Sequence, residues 1–220
     1  IVGNSIQISN ATSVHNTSTS IYTKPIYDPD TERVIFIYKG VSNYITATVI
    51  KSSGTGIDTV GTPVVVASES NDIFAEAEYD PDTTRIIVAW QTGSYILRYA
   101  VGTVTGGTNN STAWGTAGNI EASNKAYSFQ MCYDTAADRL LVVRVRGEGN
   151  NADPRDLKYH VGTVTGGTTN TVSWTGLGAV RSGNGVNAGY RVKALAYCPN
   201  INRHALFYFD YHSTDTVVGI

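Results

Sequence analysis

Short apolar runs separated by turn residues recur along the whole chain. The longest are Pro63 to Ala67, Ile86 to Trp90 and Leu140 to Val143. They are rich in β-branched residues and the segments between them in Gly, Asp, Asn and Thr, which predicts strands rather than helices. Tyr27-Asp28-Pro29-Asp30-Thr31-Glu32-Arg33 recurs as Tyr79 to Arg85, degraded as Tyr133 to Arg139, and more faintly as Tyr197 to Arg203. An apolar strand follows each copy: Arg33 to Tyr38, Arg85 to Trp90, Arg139 to Arg144 and Arg203 to Tyr208. Near-continuous apolarity predicts burial on both faces.

A second marker, Val101-Gly102-Thr103-Val104-Thr105-Gly106-Gly107-Thr108, repeats word for word at Val161 to Thr168, and Trp114 and Trp174 follow at the same offset. In the second repeat the pattern predicts strands at Ile73 to Tyr79, Arg85 to Trp90, Tyr95 to Thr105 and Trp114 to Ala122. Four strands in about 50 residues, repeated in tandem, is a propeller blade. The anchor tyrosines stand at intervals of 52, 54 and 64, and from Tyr197 through Ile220 and on from Ile1 to Tyr27 is a further 50.

The prediction is one all-β domain, 1–220: a four-bladed β-propeller closed by pairing of the N- and C-terminal strands in one blade. The repeats are about 20–70, 71–124, 125–182, and 183–220 plus 1–19. Ser5 to Ser9 would add the outer strand to Val192–Tyr197, Arg203–Phe209 and Asp215–Ile220. A fragment of a longer ring, or an open β array, is the rival.

Composition narrows the function. The chain has 220 residues, 15% charged, with a formal net charge of −2. No basic field draws in nucleic acid or anionic lipid, and no apolar run approaches the roughly 20 residues of a membrane helix. The first residue is Ile and no leader pattern follows it, so any signal peptide is expected to have been removed, or the chain to be an excised piece. Cys132 and Cys198 flank equivalent tyrosines from opposite sides, which predicts two unpaired thiols and mildly favours assembly in a reducing compartment.

No nucleophile elbow, metalloprotease helix or phosphate loop is present. The Asp28/Asp30 and Asp80/Asp82 pairs suggest a hard cation such as Ca²⁺, but turns capped by their own Asp, with an Asp–Arg pair across them, are the expected reading. His204 is expected as a satisfied core residue. Tyr44, Tyr99 and Tyr159 could stack on sugar rings; repeated aromatics more often pack blade against blade. The Asn-x-Ser/Thr matches at Asn10, Asn16, Asn109 and Asn110 are expected by chance in so Asn- and Thr-rich a chain.

A propeller sends its regular turns (Asp-Pro-Asp and Thr-Gly-Gly-Thr) to one face and its irregular loops to the other. Binding is expected on the irregular face. Its most distinctive loop, Arg146 to Asp156, mixes groups that hydrogen-bond sugar hydroxyls. The candidate ligand residues are Arg146, Glu148, Asn150, Asn151, Asp153, Arg155, Tyr190 and His212.

The Tyr-Asp-Pro-Asp-Thr-x-Arg and Val-Gly-Thr-Val-Thr-Gly-Gly-Thr repeats resemble those of bacteriophage tail-fibre and virion surface proteins, marine ones especially. That resemblance implies a non-catalytic, virion or extracellular module. Its partners would be a cell-surface glycan or receptor and other virion proteins; the composition and residue spacing add no expected cofactor, metal, nucleic acid or membrane. It also implies a possible homo-oligomer, although no coiled-coil heptads are visible to enforce one. The alternatives are a free carbohydrate-binding lectin and a propeller glycoside hydrolase. The Asp box of sialidase propellers, Ser-x-Asp-x-Gly-x-Thr-Trp, is not matched by Asn109 to Trp114 or Thr169 to Trp174, which lack its Asp and Gly.

Overall fold

The computed structural model describes residues 23–53, 56–69, 75–105, 110–122, 125–147, 154–167, 170–182, 190–210 and 216–219. They form four antiparallel sheets in chain order. The first holds β1 (Thr23–Asp28), β2 (Arg33–Lys39), β3 (Ile45–Ser53), β4 (Gly56–Val60) and β5 (Val64–Ala67). The second holds β6 (Ala75–Asp80), β7 (Arg85–Gln91), β8 (Leu97–Thr105), β9 (Ser111–Trp114) and β10 (Gly118–Glu121). The third is β11 (Lys125–Asp134), β12 (Arg139–Gly147), β13 (Pro154–Thr165) and β14 (Thr171–Ser182); the fourth is β15 (Tyr190–Cys198), β16 (Arg203–Asp210) and β17 (Thr216–Gly219).

Each sheet is a meander. The expected outer strand at Ser5 to Ser9 lies outside the described residues, and no sheet closes on itself among them.

Apolar layers lie between successive sheets. Ile35, Ile37 and Val49 meet Ala77, Val88 and Trp90; Leu97 and Val101 meet Phe129, Met131 and Val142; Val143 and Leu157 meet Leu195, Leu206 and Tyr208. The second strands serve both layers around them, and β7 is buried from Ile86 to Gln91. At roughly 1.5–3 kcal/mol for each large apolar side chain buried, these layers hold the sheets together.

The fourth strand differs from expectation. In the second sheet it starts at Ser111 rather than Trp114 and is broken over Gly115–Ala117, both pieces pairing with β8. The first sheet repeats the break, because Gly61 must pass under the next sheet. A Cβ there would lie 1.8 Å from the Asn110 carbonyl oxygen, and one at Gly115 would lie 2.8 Å from that of Asn170. The third strand starts at Leu97 rather than Tyr95, since Tyr95 takes a left-handed φ of 66° and closes a turn onto Thr92.

The Asp-led turns cap themselves. Asp28 Oδ1 accepts from Asp30 N at 3.0 Å and its Oδ2 accepts from Thr31 Oγ1 at 2.6 Å; Asp80 does the same with Asp82 and Thr83. Asp134 accepts from Ala136 N and Ala137 N. In the fourth sheet Cys198 replaces the capping Asp, and the turn tightens to a 3₁₀ turn over Pro199–Ile201. The residue before each Arg is left-handed in all four: Glu32, Thr84, Asp138 and Asn202.

The arginines of the first two turns bond between sheets. Arg33 and Arg85 donate Nε to Asn110 and Asn170 of the following sheet. In return, the Tyr79 hydroxyl donates back to Asp30, Tyr133 and Tyr197 lie near Asp80 and Asp134, and the Tyr197 hydroxyl donates to Asn202 Oδ1 at 2.9 Å. Tyr27, the anchor of the first sheet, is 57% exposed.

Candidate functional site

Equivalent positions of three successive first strands meet at one level. Lys24 on β1, Glu76 on β6 and Gln130 on β11 each stand three residues before their anchor tyrosine. Lys24 Nζ lies 3.0 Å from Glu76 Oε2, and Gln130 Nε2 donates to Glu76 Oε1 at 2.7 Å. Both carboxylate oxygens of Glu76 are therefore held by neighbouring sheets. Glu78 follows two residues later on β6, so it shares the face of Glu76.

Burial dominates the chemistry of Glu78. It pushes the carboxyl up to about 7; Lys24 pulls against this, and the Glu76 charge adds to it. Lys24 is half-buried, which disfavours its charge, yet the Glu76 charge and hydrogen bond, with Glu78, leave its pKa raised. Cys132 occupies the position before the anchor in the third sheet. Burial, then the Glu78 and Asp134 charges, push its thiol up to about 12, so it stays protonated. Cys132 and Cys198 are both free.

Sequence reasoning missed this cluster, although the signal was present. Aligned on the anchor tyrosines, the third residue before each reads Lys24, Glu76, Gln130 and Ala194. Three polar residues at one equivalent position of three repeats mark a shared position.

Of the candidates named from the sequence, Arg146 lies half-buried one residue before the end of β12, with Nη1 3.8 Å from Asp156 Oδ2; Lys158 Nζ approaches the same oxygen at 3.5 Å. Arg146 and Asp156 are cross-strand partners, so the strands run further into the loop than expected. Arg155 lies in β13 and Tyr190 begins β15. Glu148, Asn150, Asn151, Asp153 and His212 lie outside the described residues.

Tyr99 is packing. Its ring meets Trp174 edge-on at 5.6 Å, and its hydroxyl donates to the Val172 carbonyl at 3.0 Å. Gly118 and Gly178 sit across from Tyr99 and Tyr159, where a Cβ would strike the rings. His204 departs from its expected core position. It is half-buried, 5.2 Å from the Tyr197 ring and 3.5 Å from Asp134 Oδ2. His160 is the buried one. Arg144 donates Nε to His160 Nε2 at 3.0 Å and Nη2 to Glu121 at 3.0 Å. Burial, then the Arg144 charge, pull His160 down to about 4.

Among the described residues, no group of three or more His, Cys, Asp or Glu is placed to hold a metal ion, and no helix is long and apolar enough to cross a membrane. The turn carboxylates Asp28 and Asp80 cap their own loops.

No known family matches this sequence, and no curated protein does. Solved structures do resemble the fold. An intramolecular trans-sialidase from Ruminococcus gnavus, in complex with oseltamivir carboxylate, superposes with a TM-score of 0.56 at 15% identity. The match covers 90% of this chain and 42% of that one. An N-acetylgalactosamine deacetylase from F. plautii, in complex with blood group B trisaccharide, gives 0.51 at 10% identity, covering 86% and 62%. The chain spans less than two thirds of either protein. At these identities the likeness is one of fold.

The sequence-based expectation of a non-enzyme is corrected by these matches. Both are enzymes whose names place their chemistry on sugars.

Proposed function

We propose that the chain is a glycan-directed β-propeller, four-bladed and completed by its N-terminal strand, with the Lys24–Glu76–Glu78–Gln130 cluster at the axial end of its inner strands. The reading rests on one observation: two carboxyl groups on one face of an inner strand, one paired with Lys24, the other raised to about 7. The likeness to two sugar-acting enzymes supports it.

The chemistry that fits is glycoside hydrolysis. Residues two apart on a strand have Cα atoms about 7 Å apart and share a face, so their side chains can bring two carboxyl groups to the roughly 5–10 Å that glycosidases use. Glu78, still about half protonated at neutral pH, gives its proton to the glycosidic oxygen as the bond to the anomeric carbon breaks. Glu76 serves as the carboxylate partner, either attacking that carbon or taking a proton from an attacking water. Lys24 and Gln130 fix the Glu76 carboxylate in place. On the tail-fibre resemblance, the same surface would meet host glycans from a virion.

Binding isolates the first half of this reading. A glycan array probed with the intact chain should give a defined set of sugars. Titration calorimetry on one of them should show tenfold or greater weakening in Lys24→Ala and Glu76→Gln. Unchanged affinity in both variants, with their folds intact, contradicts the assignment of this cluster.

A further inference from the structure

Where the chain turns from β7 into β8, Thr92, Gly93, Ser94, Ile96, Arg98, Asn119 and Glu69 line a groove of about 600 Å³. That falls within the roughly 300–1,000 Å³ of small-molecule sites. Its position follows from the meander. The β7–β8 loop, the start of β8, the end of β10 and the link between the first two sheets lie on the face where β6 begins. Glu76 is the second residue of β6. The groove therefore opens on the same face as the carboxyl cluster, further out along the second sheet.

The groove is built to hold its shape. Thr92 N donates to Ile96 O at 2.9 Å, Tyr95 N to Thr92 O at 2.8 Å, and Ile96 N to Thr92 Oγ1 at 3.1 Å. Tyr95 accepts the Ala126 N–H from the third sheet, and its ring lies 5.1 Å from Tyr127. These bonds hold Tyr95 at a left-handed φ of 66°.

The chemistry is neutral overall. Arg98 is ion-paired with Glu69 and donates Nη2 to the Ala117 carbonyl at 3.1 Å. Arg98 Nε and Glu69 Oε2 are buried with no hydrogen-bond partner. Orphaned polar atoms of this kind call for an explanation. Adjacent sugar hydroxyls that part the pair could accept from one atom and donate to the other. Thr92, Ser94 and Asn119 add an exposed or half-exposed set of neutral hydrogen-bonding groups.

We infer that this groove is a second saccharide subsite, selective for neutral sugar units and aligned to hold the part of a glycan chain that extends outward from the carboxyl cluster. The inference rests on the glycan reading above.

The test is amide-resolved NMR on the full chain, titrated with methyl galactoside, methyl N-acetylgalactosaminide and N-acetylneuraminic acid. A neutral sugar should shift the amides of Thr92 to Ile96 and Asn119. It should do so equally in Glu76→Gln, and at least tenfold more weakly in Asn119→Ala and Arg98→Ala. Asn119 is exposed, so its variant keeps the test open should Arg98→Ala unfold. Shifts confined to Lys24, Glu76, Glu78 and Gln130 would overturn the groove and leave the cluster standing. Shifts at neither place, or stronger groove shifts with N-acetylneuraminic acid, would overturn it as well.

Discussion

Arg33 and Asn110 are 77 residues apart in sequence, yet Arg33 Nε donates to Asn110 Oδ1 at 2.7 Å. Arg85 and Asn170 repeat the bond one sheet later at 2.8 Å. It pins the first turn of one sheet to the last hairpin of the next. Asn110→Gly keeps the left-handed backbone and removes only the side chain. Bonds to a charged partner contribute about 1.5–3 kcal/mol, so urea denaturation should show a loss of that size. Asn170→Gly should behave alike, and the double variant should lose the sum, since separate seams act independently.

Gly61→Ala tests the close approach of the first two sheets. The added methyl meets backbone at Asn110 and Val49, which cannot rotate away. Overpacking of this kind costs about 1–3 kcal/mol or more. Gly176→Ala, with open space around its Cβ, should stay within about 0.5 kcal/mol of the parent. Thermal melts of the pair separate a steric cause from a general intolerance of Gly→Ala.

His160 predicts acid sensitivity. Its folded pKa, about 4, lies below the ordinary 6.5, so the native state binds fewer protons than the unfolded chain between these values. Stability therefore falls as pH drops from about 6.5 to about 4, by on the order of 2–3 kcal/mol. His160→Gln can still accept from Arg144 and carries no titrating ring. Its denaturation midpoint should lose this slope.

Glu78 predicts the opposite slope. Its folded pKa, about 7, lies above the ordinary 4.5, so the native state binds more protons. Stability falls as pH rises from about 4.5 to about 7, again by on the order of 2–3 kcal/mol. Glu78→Gln should remove that loss and be more stable than the parent at pH 8. A Gln variant that is weaker at pH 8 contradicts the buried, protonated carboxyl.

Much of the architecture was legible because repetition amplifies weak local signals. The Asp-Pro-Asp turn fixes each first hairpin through bonds that reach only two or three residues, so its chemistry is readable locally. The apolar second strands are readable for the same reason: β7 has no solvent face to encode. The break in the fourth strand was not, since Gly61 yields to the Asn110 carbonyl, which arrives from another sheet. Nor was the partner of Arg33, where an Asp close in sequence looked sufficient. The carboxyl cluster hid in short strands whose meaning appears only when three sheets bring Lys24, Glu76 and Gln130 together. Arg146, read as a ligand group, is engaged with Asp156 across its own sheet.

The most direct test of the account is the pH–rate profile for release of sugar from a panel of synthetic glycosides, measured for the intact chain and for Glu78→Gln. The account predicts turnover on at least one glycoside, falling above an apparent pKa near 7 as Glu78 loses its proton. It predicts a loss of about 10²-fold or more in the Gln variant, the range of a general acid. Turnover that Glu78→Gln leaves unchanged, or none on any glycoside that the chain binds, would contradict it.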